Sequence, residues 1–192
     1  MRTSHLLLIP AIAVLTLAGC KSKKTTPVQK ETGAVEITVP FSTKEYRSDE
    51  STFRAKQVGR SSDIATAKKI AFQNARGEMA SNINATVKRV TDQYTNQRTV
   101  GNTQEFENKF EELSREVVNL EMSNVKEIGE KIFKETDGSY TYWIAIEADA
   151  KTVFDKIDSK ISSDAKLKLD YDKQKFQQVF DSEMKKLADE GK

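Results

Sequence analysis

The chain has 192 residues, 31% charged and 37% hydrophobic, and its 31 Lys and Arg against 29 Asp and Glu give a formal net charge of +2. Such a balance lacks the basic field that holds a phosphate backbone, so nucleic acid is not an expected partner. The single Cys and single His are Cys20 and His5, so the chain beyond them has no thiolate or imidazole for Ser-His-Asp or Cys-His catalysis, the usual zinc sites or a disulfide.

Residues 1–19 read as a signal peptide. Arg2 precedes the apolar run Leu6 to Gly19, and a charged start, an apolar stretch of about 7–15 residues and small residues before a cut mark secretion, whereas a membrane span needs about 20. Leu17-Ala18-Gly19-Cys20 resembles the bacterial lipobox. That resemblance implies a diacylglycerol on the Cys20 thiol, cleavage just before it and a membrane as partner through the lipid, since several acyl chains anchor stably where one does not. Residues 20–34 form a tether bearing Lys21, Lys23, Lys24 and Lys30 with no acid before Glu31. Each lysine near an anionic lipid surface adds about 1 kcal/mol. By resemblance to lipoprotein sorting rules, Lys21 in place of Asp implies the outer membrane, and the missing acidic run implies its periplasmic face.

The folded part is expected over 35–149. Val35 to Val39 alternates apolar and polar before Pro40, which predicts a short edge strand; Ser42 to Thr52 is polar loop, and Phe53 to Gly59 a second strand. Ser61-Ser62-Asp63 supplies capping oxygens for a helix over 63–94, whose apolar positions from Ile64 to Tyr94 recur every three or four residues. At 1.5 Å per residue such a helix is roughly 45 Å long, more than a small sheet can cover. After a turn-rich loop at 96–101, Asn102 and Glu105 imitate a capping box, and Phe106, Phe110, Leu113, Val117 and Leu120 predict a second helix in an antiparallel hairpin with the first.

Ser123 to Glu135 and Ser139 to Ala148 read as two strands joined through Asp137-Gly138, a strong hairpin signal. In the second, Tyr140, Tyr142, Ile144, Ile146 and Ala148 share one face, and Thr141, Trp143, Ala145 and Glu147 the other. Tyr140, Tyr142 and Trp143 are candidate ligand contacts, although packing is the stronger account of aromatics in a strand. Residues 150–192 are expected to be a helical extension: one helix carrying Val153, Phe154, Ile157 and Ile161, then another from about Ser163 carrying Phe176, Val179, Phe180 and Met184. Phe176 and Phe180 either pack back on the domain or offer a stripe to a partner; packing back is the default.

No cofactor is expected. The eight glycines are isolated, so no phosphate-binding loop can be written, and the calcium-like start Asp170-Tyr171-Asp172 meets Lys175 where the sixth position needs glycine. Carboxylate pairs alone survive this filter, but Glu105, Glu107, Glu111 and Glu112 lie on the polar face of an amphipathic helix.

Phe53-Arg54-Ala55 through Gly59, then Asp63, Ala67, Ile70, Ala71, Ala75, Arg76, Met79 and Ala80, with the aromatic strand Tyr140 to Ala148, resemble the LPP20-like envelope lipoproteins over roughly 53–149. The resemblance implies a small α+β lipoprotein without a known catalytic motif. Composition and resemblance together lead us to expect a small antiparallel sheet packed by a long helix and further helices. The expected role is non-enzymatic: structural or assembly work at the outer membrane with an envelope partner or a second copy. Binding of a small ligand or peptidoglycan glycan is the alternative.

Overall fold

The computed structural model describes residues 36–97 and 103–190. Signal, tether and Cys20 lie outside them. The described residues from Thr38 onward belong to one compact unit, and the fold below is that of this unit. After a 3-10 turn at Lys44–Tyr46, its elements are β1 (Thr52–Ser61), α1 (Ile64–Asn96), α2 (Thr103–Glu121), β2 (Lys126–Lys134), β3 (Tyr140–Asp149), α3 (Ala150–Ser163), α4 (Leu167–Asp170) and α5 (Lys173–Glu190). The class is α+β, as expected. A three-stranded antiparallel sheet has the order β1-β3-β2, with the last strand in the middle.

The two ends of α1 meet different elements within one continuous core. At its start the Asp63 carboxylate accepts from the Thr66 backbone N–H at 2.8 Å, satisfying a donor that the first turn leaves free. Ala67, Ala71 and Ala75 then lie fully buried against the sheet residues Phe53, Ala55, Ile144 and Ile146. Small side chains let backbone approach backbone here, and β1 answers with Gly59. A Cβ at Gly59 would stand 2.3 Å from the Ala67 carbonyl oxygen.

Beyond Met79 the same helix leaves the sheet. Its buried Ile83, Val87, Val90 and Tyr94 join Phe106, Phe110 and Val117 of α2, Phe154, Ile157 and Ile161 of α3, and Phe176, Phe180 and Met184 of α5. Helix α1 touches α2 and α5, and α3 touches the same two, which closes a four-helix bundle. At its centre the Phe176 ring lies 5.4 Å from Phe110, 5.5 Å from Tyr94, 5.6 Å from Tyr171 and 5.9 Å from Phe154. Each large apolar side chain buried this way contributes about 1.5–3 kcal/mol. The expected extension 150–192 is therefore packed into the same unit as the sheet.

Three local expectations need correction. Glu36 to Val39 is not a strand. Pro40 is followed by Phe41 at a φ of 60°, a left-handed conformation that turns the chain away from pairing. The Phe41 side chain is buried over Gly129, where a Cβ would come within 2.7 Å of the ring. Strand β2 begins at Lys126 instead of Ser123, because α2 runs on to Glu121 and Met122 to Asn124 form its exit turn. The helix expected from Ser163 is broken. Asp164 accepts from the backbone N–H groups of Lys166 and Leu167 at 2.9 and 3.0 Å, which stops α3 and starts α4. Asp172 then accepts from Lys175 N–H at 3.1 Å to open α5, while its own N–H donates to the Tyr94 hydroxyl at 2.7 Å.

Candidate functional site

Strand register sorts the sheet into two faces. Tyr142 lies opposite Gly59 and Ile132, and Trp143 opposite Val58 and Lys131; opposed residues in an antiparallel pair point the same way. Tyr140, Tyr142, Ile144, Ile146 and Ala148 therefore look toward α1, and Trp143 looks away. The three aromatics do not form one platform, because Trp143 is separated from the tyrosines by the sheet itself.

Tyr142 is spent on structure. Its ring is buried and its hydroxyl donates to the Glu130 carboxylate. Lys68 of α1 stands 5.7 Å over that ring and reaches Glu127 at 3.1 Å and Glu130 at 3.5 Å. Burial raises the Tyr142 pKa, helped by Glu130. The Tyr142 hydrogen bond, and then Lys68, lower that of Glu130. Each shift keeps its group in the state the cluster needs at neutral pH, so the trio ties α1 to β2.

Phe176 and Phe180, the other candidate contacts, are 1% and 2% exposed. As a docking stripe they are corrected: they fill the bundle core because α5 has an apolar face wide enough to close it. Charged groups of the bundle are matched as well. Buried Glu183 accepts from Arg89 at 3.1 Å and Lys186 at 2.6 Å. Buried Glu121 pairs with Lys156. Asp158 takes the Tyr171 hydroxyl at 2.8 Å and Lys173 at 2.6 Å, and burial followed by Asp158 pushes the Tyr171 pKa far above its ordinary value.

Two features remain open. A groove of about 360 Å³ between α1 and α2 has Val87, Thr91, Phe110 and Ser114 among its lining. The Ser114 hydroxyl there is buried without a partner. The second is the far end of the hairpin, where Ile132 and Phe133 are 45% and 47% exposed. Phe133 lies on the same face as the half-buried Trp143, a face on which Phe41 lies over Gly129 with the Lys131 ammonium 5.7 Å from its ring. Ile132 and Phe133 were missed in the sequence because Lys126 to Lys134 carries so many charges. Two apolar residues side by side in an edge strand, one for each face, were the available signal.

Among the described residues no group of three or more His, Cys, Asp or Glu side chains is placed to hold a metal ion, and no helix is long and apolar enough to cross a membrane. No protein-family model, curated protein or solved structure matches this chain.

Proposed function

We propose that the chain is a lipid-anchored envelope protein, non-enzymatic, whose α+β unit works as a docking module in the periplasm at the outer membrane. The observation that carries the docking role is the hairpin end of the edge strand β2, where Phe133 stands exposed on the face that Trp143 shares and Ile132 stands exposed on the opposite face. Apolar surface rimmed by charge is the usual mark of an association site. Support also comes from the bundle, where the buried carboxylates Glu121, Asp158 and Glu183 are all engaged in ion pairs. The lipobox-like Leu17-Ala18-Gly19-Cys20 and the LPP20-like residues over 53–149 support the anchored, envelope side of the reading.

The test is metabolic labelling with palmitate, together with fractionation of cells expressing the full chain or Cys20→Ala. Label and membrane association are both expected for the first and neither for the second. Membrane retention of an unlabelled Cys20→Ala chain overturns the anchor.

The second reading, a glycan platform, is favoured by one observation: Trp143 is half-buried on the open face with Phe133. It would use these two rings and not Tyr140 or Tyr142. A titration of Trp143 fluorescence with peptidoglycan fragments tests it, and a flat response removes it.

A further inference from the structure

The sheet has two outer strands, and they are treated differently. On β1 the Ser48 hydroxyl accepts from the Arg54 N–H at 2.9 Å and donates to the Arg54 carbonyl at 3.2 Å. Asn74 of α1 donates to the Val58 carbonyl at 3.0 Å. Side chains thus occupy the Arg54 and Val58 carbonyls and the Arg54 N–H on the outer edge of β1. Among the described residues, no hydrogen bond other than those to β3 reaches the backbone of Lys126–Lys134. Only Ile128 and Gly129 of β2 are even half-buried, and an unpaired row of N–H and C=O groups is a template for another strand.

We propose that β2 pairs antiparallel with the β2 strand of a second copy of this chain, about a two-fold axis passing through Ile132. The proposal rests on the docking role assigned above and names its partner. The argument for a second copy is charge order along Glu130-Lys131-Ile132-Phe133-Lys134. A two-fold axis normal to the sheet places residues equidistant from the centre opposite each other. Centred on Ile132, it puts Ile132 against its own equivalent, Glu130 against Lys134 twice, and Lys131 against the Phe133 ring twice. Each is a favourable cross-strand pair, the last a cation over an aromatic face. Moving the centre by one residue toward the start of the strand sets Lys131 against Lys131, and a further step sets Glu130 against Glu130. The Glu130 carboxylate has room for a further donor: it is 53% exposed while holding Tyr142 and Lys68. Phe41 and Tyr46 lie over Gly129, and the Lys131 ammonium stands 5.7 Å over the Phe41 ring, so in the pair Lys131 is shared between Phe41 and the Phe133 ring of the second copy.

Five residues on each side make a small interface, weak between freely diffusing chains. Anchoring both copies to one membrane raises their effective concentration, as a linker does.

The test places a photo-cross-linking phenylalanine analogue at position 133 of the full chain in intact cells. The expected product is two copies of this chain joined from position 133 to the neighbourhood of Lys131. Lys134→Glu, a substitution at an exposed site, should lower its yield about tenfold, since two attractive pairs become repulsive. Adding Glu130→Lys, which also gives up the Tyr142 and Lys68 contacts, should restore the yield in a chain whose circular dichroism shows the unit still folded. As a check independent of that charge swap, Ile132→Cys should give a disulfide-linked dimer joined at position 132, and Glu130→Cys none, because equivalent positions there are about 13 Å apart along the strands. A cross-link only to a different protein overturns self-pairing and leaves the docking role standing. No cross-link to any protein overturns both. A dimer whose yield ignores Lys134→Glu, or which links as well at position 130 as at 132, overturns the register.

Discussion

Gly59 of β1 sits directly beneath Ala67 of α1, so close that a Cβ on the glycine would lie 2.3 Å from the Ala67 carbonyl oxygen and 2.4 Å from the Ala71 nitrogen. Both obstacles are backbone, which cannot rotate aside. Gly59→Ala is therefore expected to lift the helix off the sheet, at a cost of roughly 2–4 kcal/mol. Gly77, in the same helix, has nothing within 4 Å of its would-be Cβ, and Gly77→Ala should stabilise by about 0.5–1 kcal/mol through helix propensity. Urea denaturation of the two variants should move the midpoint in opposite directions; a shared direction would mean that α1 does not cross β1 here.

Truncating the central bundle ring, Phe176→Ala, should cost about 3–5 kcal/mol, the usual penalty for emptying an aromatic site in a packed core. If Phe176 were instead a free contact residue, the melting temperature would hardly change. This variant is thus a direct measure of whether α5 is docked.

Ser114 makes the opposite prediction. Its hydroxyl is buried in the α1–α2 groove with no partner, and such a group costs about 1–3 kcal/mol relative to a satisfied one. Ser114→Ala should leave stability unchanged or raise it by about 1 kcal/mol, helped by propensity. A loss on thermal unfolding would show that the hydroxyl is bonded in solution.

Acid should weaken the junction between α3 and α4. The Lys109 ammonium, with the Leu167 and Lys166 N–H groups, lowers the Asp164 pKa from 3.8 to about 2. A carboxylate depressed in the folded state contributes stability above its unfolded pKa and loses it as pH falls through the folded value. The contribution of Asp164 should therefore be complete at neutral pH and fade between about pH 4 and pH 2. Comparing wild type with Asp164→Asn over that range should show the stability gap closing as acid is added; a constant gap would mean that Asp164 is not held by Lys109.

Much of the architecture was legible because period and punctuation agreed. The Ala67-Ala71-Ala75 ladder carried α1, and Asp137-Gly138 located the hairpin, where Gly138 takes a φ of 83°. What could not be read was tertiary. Val35 to Val39 had the alternation of a strand, but Phe41 takes a left-handed φ of 60° that turns the chain away from the sheet. The helix from Ser163 looked continuous because Asp164 and Asp172 are ordinary surface residues until their caps form. The candidate site was legible only in part. Alternation set Trp143 on the face opposite Tyr142, but which face α1 would cover was tertiary, and Tyr142 had a stacking partner's chemistry but a buried address. Phe133 and Ile132 were hidden among lysines and glutamates.

The strand order has a consequence for how the chain is made. In a sheet ordered β1-β3-β2 the first two strands to be synthesised never touch each other; each depends on the third. Until Asp149 has emerged, β1 has no partner, and neither does β2. A chain emerging from the N-terminus can form α1 and α2 early but cannot assemble two-thirds of a sheet in advance. Sheet formation is then all or none and set by the arrival of β3, which closes contacts across nearly the whole α1–α2 excursion, a slow class of closure. A truncation between Lys134 and Tyr140 would release not a smaller version of this unit but a helical hairpin with two orphaned, aggregation-prone strands.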